Sequence, residues 1–380
     1  MDSLRCVLAS RLLLDHQLHG TRLSGAGAPA PEVRKIAEDA TLVAFDHIID
    51  ACLVHDAHCL LISGDSFHPD DHSLRGPAAL VRGIQRLAER DMAVILYARS
   101  PDLWSSWPAG LRFPPNAHRL GDGFEDSVSV SLDGKLLATI TVEEQPQSTL
   151  CGWQVLLPDP TGNSRTILLP GDPAPAQGIR DDETGSRGCT LVVIDAGREL
   201  RETFIPAAPV RWERFALAVA AGMSRDDLLQ EMASLLEQTP REPCEKVWLV
   251  GWDVSGEGEL LEILSKPGFR DDLLADLTGL DPVPGIHVHT HALRVHLPAG
   301  AALPIAGQDE LAAEYVARLA ERFARSDAAL HECLAASDLH RGPWNVRLET
   351  VLAELDAGEV ALDAQRMAMH WFASPEELSS

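Results

Sequence analysis

The stretch HCLLISGD, residues 58–65, decides how the first part of the chain folds. Its apolar run stops at Gly64 and Asp65, which is typical of a short buried strand that ends in a turn. Two similar strands and two amphipathic helices surround it, with the strands at 5–14 and 92–98 and the helices at 31–56 and 74–91. Strands and helices that alternate in this order predict a parallel sheet.

Functional groups in parallel sheets gather beyond the carboxyl ends of the strands. Asp65 follows the second predicted strand and Asp15 follows the first, while the segment ARSPD at 98–102 follows the third. The carboxyl edge of this sheet is therefore the predicted functional site.

The pattern changes in the rest of the chain. Residues 124–209 alternate apolar and polar side chains, with a hairpin turn at Asp133-Gly134, and are predicted to form a mainly antiparallel second sheet packed on the first. Residues 210–300 are predicted to form a small α/β accessory domain, and residues 301–380 a helical C-terminal region. The predicted domains are thus 1–209, 210–300 and 301–380.

The composition limits the classes of partner and compartment. A formal net charge of −25 argues against a broad nucleic-acid surface, which needs lysine and arginine. Seven cysteines without a CxxC pair fit a reducing cytoplasm. The first residues favour a buried strand over a signal peptide, and no apolar run approaches the ~18 residues of a membrane helix. We therefore expect a cytoplasmic protein with no membrane association.

Three features in sequence order carry a resemblance to a known family. They are the helix that leads into the strand at 58–65, the segment LPGDPAPAQGIRDDETGSRGCTLVVID at 169–195, and VRWERFALAV at 210–219. Over roughly residues 5–220 the chain resembles the calcineurin-like metallophosphoesterases, in particular the bacterial DNA-repair exonucleases of the SbcD and YhaO type. The resemblance implies a two-sheet α/β sandwich flanked by helices, followed by an accessory domain. It also implies two divalent metal ions that activate water for phosphoester hydrolysis.

The family's metal ligands are largely replaced in this chain. Arg11 and Leu13 stand where the family has Asp-x-His on the first strand, and His68 replaces an acid after the surviving Asp65. On the third strand, the family's Gly-Asn-His-Asp aligns with Arg99, Ser100, Pro101 and Asp102. A single surviving carboxylate provides too few ligands for two ions. We therefore predict a degenerate metal site and assign no catalytic residues.

A buried carboxylate that has lost its metal needs another cation. We hypothesise that Arg11, alone or with Arg99, forms an ion pair with Asp65. The alternative is that Asp65 only caps the loop that follows it.

Two histidine-rich segments provide alternative metal sites. Asp65, Asp15, His16 and His68 form the predicted remnant site, which would bind a single Mn or Zn ion. The alternative for residues 68–72 is an exposed polar loop, which is the more common arrangement of such residues. His287, His289 and His291 alternate along one predicted strand and so share a face, as zinc or nickel ligands do. The alternative for that strand is the solvated face of an antiparallel sheet.

Three functions follow from these observations. The first is an inactive scaffold or regulatory subunit in DNA processing, without a cofactor. Its partner would be an SbcC- or YhaN-like coiled-coil ATPase, bound through the accessory domain or C-terminal helices, with DNA bound weakly or through that partner. The second is an active phosphoesterase or nuclease with a remodelled Mn or Zn site around Asp65. The third is a free-standing binding module.

Overall fold

The computed structural model describes residues 3–18, 29–68, 73–97, 107, 111–121, 124–144, 151–158, 165–170, 173–195, 199–264, 267–279, 283–296 and 318. Residues 1–297 form one compact unit. The predicted helical region at 301–380, with its proposed docking helices, lies outside the described residues except for residue 318. None of the helices in the described ranges combines the length and the apolar character needed to cross a bilayer.

The elements follow one another in three groups along the chain. The strands are β1 (Leu4–Ser10), β2 (Cys59–Ser63), β3 (Ala93–Tyr97), β4 (Ala117–Leu120), β5 (Val128–Leu132), β6 (Lys135–Glu144), β7 (Cys151–Leu157), β8 (Arg165–Pro170), β9 (Gly188–Ile194), β10 (Leu200–Pro206), β11 (Val210–Val219), β12 (Val247–Gly256) and β13 (His287–His296). The helices are α1 (Pro31–Glu38), α2 (Ala40–Val54), α3 (Arg75–Ala88), α4 (Arg225–Gln238), α5 (Glu259–Leu264) and α6 (Pro267–Gly279).

The first sheet has the order β10-β9-β1-β2-β3-β4, and β1 to β4 run parallel, as predicted for the first three of them. Its two faces bury different partners because side chains alternate along each strand. Val7 and Ala9 of β1 face helices α2 and α3, whereas Cys6 and Leu8 face the second sheet, β5-β6-β7-β8. The mixed α/β architecture is consistent with the predicted sandwich.

The strand and helix predicted first are both shorter than expected. The strand predicted at 5–14 ends at Ser10, because the backbone of the next residue, Arg11, is left-handed with φ 43°. The helix predicted at 31–56 is two helices, which break at Asp39. The break lets α1 pack on the accessory sheet while α2 packs on the first sheet, so each helix buries its own apolar face.

The prediction of one antiparallel sheet over 124–209 is wrong for its last part. Strands β9 and β10 leave that sheet, and β9 pairs antiparallel with β1. The physical reason is that β9 is apolar on both faces, with Cys189 and Leu191 on the helix side and Val192 and Ile194 on the sheet side. Such a strand is stable in the interior of a sheet covered on both faces.

The turn predicted between β5 and β6 is confirmed. Asp133 and Gly134 both have positive φ, 50° and 76°, and Leu132 pairs with Lys135 across the turn. Two consecutive left-handed residues are what a two-residue hairpin needs to match the twist of its strands.

The accessory region has its own three-stranded parallel sheet, β11-β12-β13, with α4, α5 and α6 against one face. Ser224 caps α4 as predicted, because its hydroxyl accepts a hydrogen bond from the Asp227 backbone N–H and the Asp227 carboxylate accepts one in return. The predicted interruption at Pro267 is also confirmed, since α6 begins there. The other face of the sheet packs on α1 and on the loop after β1.

Gly188, the first residue of β9, allows β9 and β10 to pack closely. A Cβ on Gly188 would lie 2.1 Å from the Ile205 carbonyl oxygen and 2.8 Å from the Ala207 nitrogen. Because both atoms belong to the backbone, Gly188→Ala should lower the free energy of unfolding by about 1–3 kcal/mol or more, measured by chemical denaturation.

The matched control is Gly268→Ala in α6, where a Cβ would meet nothing within 4 Å. That variant should be neutral or more stable by about 0.5–1 kcal/mol, because alanine favours a helix over glycine. Equal losses of stability in both variants would contradict the proposed contact at Gly188.

Candidate functional site

The chain that leaves β1 runs beside the chain that leaves β2 at the carboxyl edge of the first sheet. The Arg11 N–H donates to the Ser63 carbonyl at 3.0 Å, and the Leu13 N–H donates to the Asp65 carbonyl at 3.2 Å. We call residues 10–18 and 63–68 the rim. The backbone bonds place Arg11 and Asp65 on adjacent parts of this rim, where the sequence predicted the functional site.

The rim loop after β1 has an unusual backbone. Arg11, Leu13 and Asp15 are left-handed, with φ of 43°, 42° and 64°, and Gly64 opposite them has φ 74°. For a residue with a side chain, this conformation is less favourable than the right-handed one by roughly 1–2 kcal/mol. Three such residues in one loop therefore need stabilising contacts around them.

The first of these contacts is an ion pair of Arg11. Its Nη1 lies 2.8 Å from Oε1 of Glu183, and the other carboxylate oxygen of Glu183 accepts from the Ile179 N–H at 2.7 Å. The structure thus pairs Arg11 with Glu183, whereas the prediction paired it with Asp65. Its side chain also crosses Gly64, with Cγ 3.4 Å from the position of a Cβ there.

Glu183 belongs to a segment that lies against the end of β1. The Ser10 hydroxyl donates to the Pro173 carbonyl, and the Ala176 N–H donates back to the Ser10 carbonyl at 3.1 Å. We call residues 173–187 the strap. It includes most of the segment that carried the second feature of the family resemblance.

Asp15 is bound by groups of the protein itself. Its carboxylate accepts a hydrogen bond from the Ser73 hydroxyl and lies 3.1 Å from Nη1 of Arg75. Its backbone N–H donates to Oγ1 of Thr41 at 2.9 Å. An arginine therefore balances the charge of this predicted metal ligand.

The structure brings together two other predicted ligands, His16 and His68. Their rings stack with centroids 4.5 Å apart and an angle of 23° between the planes, and His16 is buried. Within the described ranges, no three histidine, cysteine, aspartate or glutamate side chains are arranged to hold a metal ion. His16 and His68 thus share a contact, while the remnant site proposed with Asp65 and Asp15 stays a prediction.

A pair of divalent ions needs several carboxylate, imidazole or amide ligands at each centre. Here the guanidinium of Arg11 occupies part of the rim, and Arg75 engages the carboxylate of Asp15. The positions predicted as replaced ligands on the third strand, Arg99, Ser100 and Pro101, lie outside the described residues, as do residues 69–72.

The three histidines of β13 share one face, as predicted, but their surroundings differ from the prediction. Strand β13 is parallel to β12, not antiparallel, with His287 opposite Val247 and His289 opposite Leu249. These two apolar residues face α1 and the rim loop, so the face is not simply solvated. Parallel pairing arises because helices connect the three strands and cover the opposite face.

A bulge sets His291 apart from its neighbours. His291 is an extra residue of β13, between the residues that pair with Val250 and Gly251 of β12. Its ring packs edge-on against Trp212, with the ring centroids 5.0 Å apart. The ring lies so close to Gly251 that a Cβ there would be 3.2 Å from Nε2. Burial lowers the pKa of His289 and lowers that of His291 to about 4.

Sequence reasoning missed a buried charge network at the start of the accessory sheet. Arg211 donates to the Pro240 carbonyl at 2.7 Å and lies 3.3 Å from Glu245, while Trp248 donates to the second oxygen of Glu245 at 2.9 Å. Ser186 of the strap donates to the same carboxylate at 2.9 Å. The alternation of Arg211, Trp212 and Glu213 at the start of an apolar strand was the available signal.

Comparison with known proteins finds a distant sequence similarity. The chain is 25% identical over 141 residues to a protein of Bacillus subtilis (strain 168) described as "Uncharacterized metallophosphoesterase YhaO". The match covers 37% of this chain and 33% of that protein, so it spans about a third of the relative's length. No protein-family model matches the chain. The similarity supports a distant relationship to the metallophosphoesterases.

The burial of His291 predicts a pH dependence of stability. Its pKa of about 4 in the folded protein lies below the ordinary value of 6.5, so folding favours the neutral ring. The contribution of the neutral ring to the free energy of unfolding is complete above pH 6.5 and is lost as the pH falls towards 4. His291→Gln should therefore lose less stability than the wild type over that interval, measured by urea denaturation at several pH values.

His287→Gln provides the control, since His287 lies on the same strand and is exposed. It should follow the wild-type pH profile more closely than His291→Gln does. Identical profiles for the wild type and His291→Gln would contradict the burial of a neutral imidazole.

Proposed function

We propose that this protein is a relative of the DNA-repair exonuclease branch of metallophosphoesterases that serves as a non-catalytic scaffold or regulatory subunit. One observation carries the proposal. The Arg11 guanidinium lies at the carboxyl edge of the first sheet and pairs with Glu183 at 2.8 Å, at a position where the resembled family has a metal-binding aspartate.

Charge explains why this substitution matters for metal binding. A guanidinium stays protonated at all physiological pH values and offers only donors, so it cannot act as a metal ligand. It also repels a nearby divalent cation, and the repulsion is stronger at a partly buried site than in water. Arg11 is 37% exposed and Glu183 14% exposed, so the pair is only partly screened by solvent.

The surrounding carboxylates support the same proposal. Asp15 is held by Arg75 and Ser73, and Glu183 is held by Arg11 and the Ile179 N–H. A metal ion would need to displace an arginine to gain either carboxylate. The site therefore favours an arrangement in which protein cations replace metal ions.

The proposed partner is a coiled-coil ATPase of the SbcC or YhaN type, bound through the accessory domain or the C-terminal region. The net charge of −25 supports an indirect contact with DNA, because phosphates bind to lysine and arginine. The third interpretation, a free-standing binding module, would show no such ATPase in pull-down experiments.

Metal analysis of the purified full chain tests the proposal directly. We expect substoichiometric Mn and Zn after dialysis against either ion, no hydrolysis of bis(p-nitrophenyl) phosphate above background, and a thermal midpoint that EDTA does not change. Each result follows from a rim held by ion pairs rather than by metal ions.

The second candidate function is a phosphoesterase with a remodelled site around Asp65, and the contact between His16 and His68 favours it. Its signature would be stoichiometric Mn or Zn together with hydrolysis that is lost in Asp65→Ala. Asp126→Ala is the matched control, because Asp126 is an exposed aspartate that does not belong to the rim. Hydrolysis lost in Asp65→Ala and kept in Asp126→Ala would replace the first proposal with the second.

A further inference from the structure

We infer that the strap, residues 173–187, couples the rim of the first sheet to the accessory sheet. The ion pair between Arg11 and Glu183 is the contact that transmits a conformational change from the rim to the strap. The inference concerns the conformation of the molecule. It applies whether the rim is catalytic or inert, so its failure would leave the proposed function in place.

Three consecutive acids of the strap each pair with an arginine from a different part of the fold. Asp181 lies 3.4 Å from Nη2 of Arg294 on β13, Asp182 lies 2.5 Å from Nη2 of Arg180 within the strap, and Glu183 lies 2.8 Å from Nη1 of Arg11 on the rim. Through Asp181 and Glu183, one short run of sequence therefore contacts both the accessory sheet and the rim.

Backbone and side-chain hydrogen bonds fasten the strap to the first strand of the accessory sheet. Gln177 is buried and donates to the Val210 carbonyl at 2.7 Å. The Trp212 indole N–H donates to the Gly178 carbonyl at 3.0 Å, and the Gly185 N–H donates to the Trp212 carbonyl at 2.9 Å. Residues 177–178 of the strap thus hold Val210 and Trp212, and Gly185 also holds Trp212.

Glu183 connects these two sets of contacts. One oxygen of its carboxylate binds Arg11, while the other accepts from the N–H of Ile179, which is buried against the accessory sheet. Gly178 permits this approach, because a Cβ there would lie 2.9 Å from the Glu183 carbonyl oxygen and 3.2 Å from Trp212. Displacement of Glu183 would therefore disturb the turn that binds the indole of Trp212.

Arg11 is the accessible end of this connection. Its side chain is 37% exposed, whereas Gln177 and Trp212 are almost completely buried. Its backbone is left-handed, with φ 43°, so the rim loop is strained there and should relax once the ion pair is lost. A change at the rim would thus reach the accessory sheet through Glu183 and the strap.

Hydrogen–deuterium exchange of the full chain tests the coupling. Arg11→Met should raise the exchange rate of strap amides and of Val210–Trp212 and Val247–Leu249 by about tenfold, because local opening becomes easier. Arg180→Met is the matched control, since Arg180 pairs within the strap. It should leave the accessory amides at the wild-type rate.

Arg11→Lys should keep much of the protection that Arg11→Met loses, because it leaves a cationic donor for Oε1 of Glu183 while the other oxygen still accepts from the Ile179 N–H. The inference is overturned if Arg11→Met speeds exchange in the rim and strap while Val210–Trp212 and Val247–Leu249 keep the wild-type rate. It is also overturned if Arg180→Met has the same effect as Arg11→Met. Should Arg11→Met fail to fold, Glu183→Gln decides by the same accessory amides.

Discussion

The ion pair between Arg11 and Glu183 joins the end of β1 to the strap, with 2.8 Å between nitrogen and oxygen. The left-handed rim loop, the position of the strap and the seating of Trp212 all meet at this pair. In the resembled family, the corresponding edge of the sheet binds metal ions. Here a guanidinium provides positive charge at that edge, and under the proposed function it takes the place of those ions.

The distribution of charge explains how an acidic protein keeps this edge stable. The chain carries 25 more formal negative than positive charges, yet Arg11, Arg75 and Arg294 all lie against carboxylates near the rim and strap. Exposed ion pairs contribute little, about 0–1 kcal/mol, whereas a buried carboxylate without a partner is costly. The arginines therefore matter mainly because they prevent unpaired charge at a partly buried site.

Much of the fold could be predicted from the sequence because local signals agreed with the tertiary arrangement. Apolar runs placed β1 to β3, the Asp133-Gly134 pair placed a hairpin, and Ser224 placed a helix cap. The assignment of β9 to the first sheet could not be predicted in this way. An apolar strand fits the interior of either sheet, and only its pairing with β1 decides between them.

The candidate site was predictable in position but not in partners. The carboxyl edge and the replacement at Arg11 follow from the strand order and the family motif, but the choice of Glu183 depends on a contact between residues 172 positions apart. The stacking of His16 on His68 likewise depends on two loops meeting in space. Periodicity and spacing report local geometry, and they carry little information about contacts of this range.

We propose that protein cations hold the rim at positions where the resembled family binds metal ions. The most direct measurement is the anomalous difference map of a crystal soaked in manganese chloride. We expect no pair of ordered manganese ions at Asp65 and an Arg11 guanidinium still bonded to Glu183. Two well-ordered ions that share Asp65, with Arg11 displaced from Glu183, would contradict it.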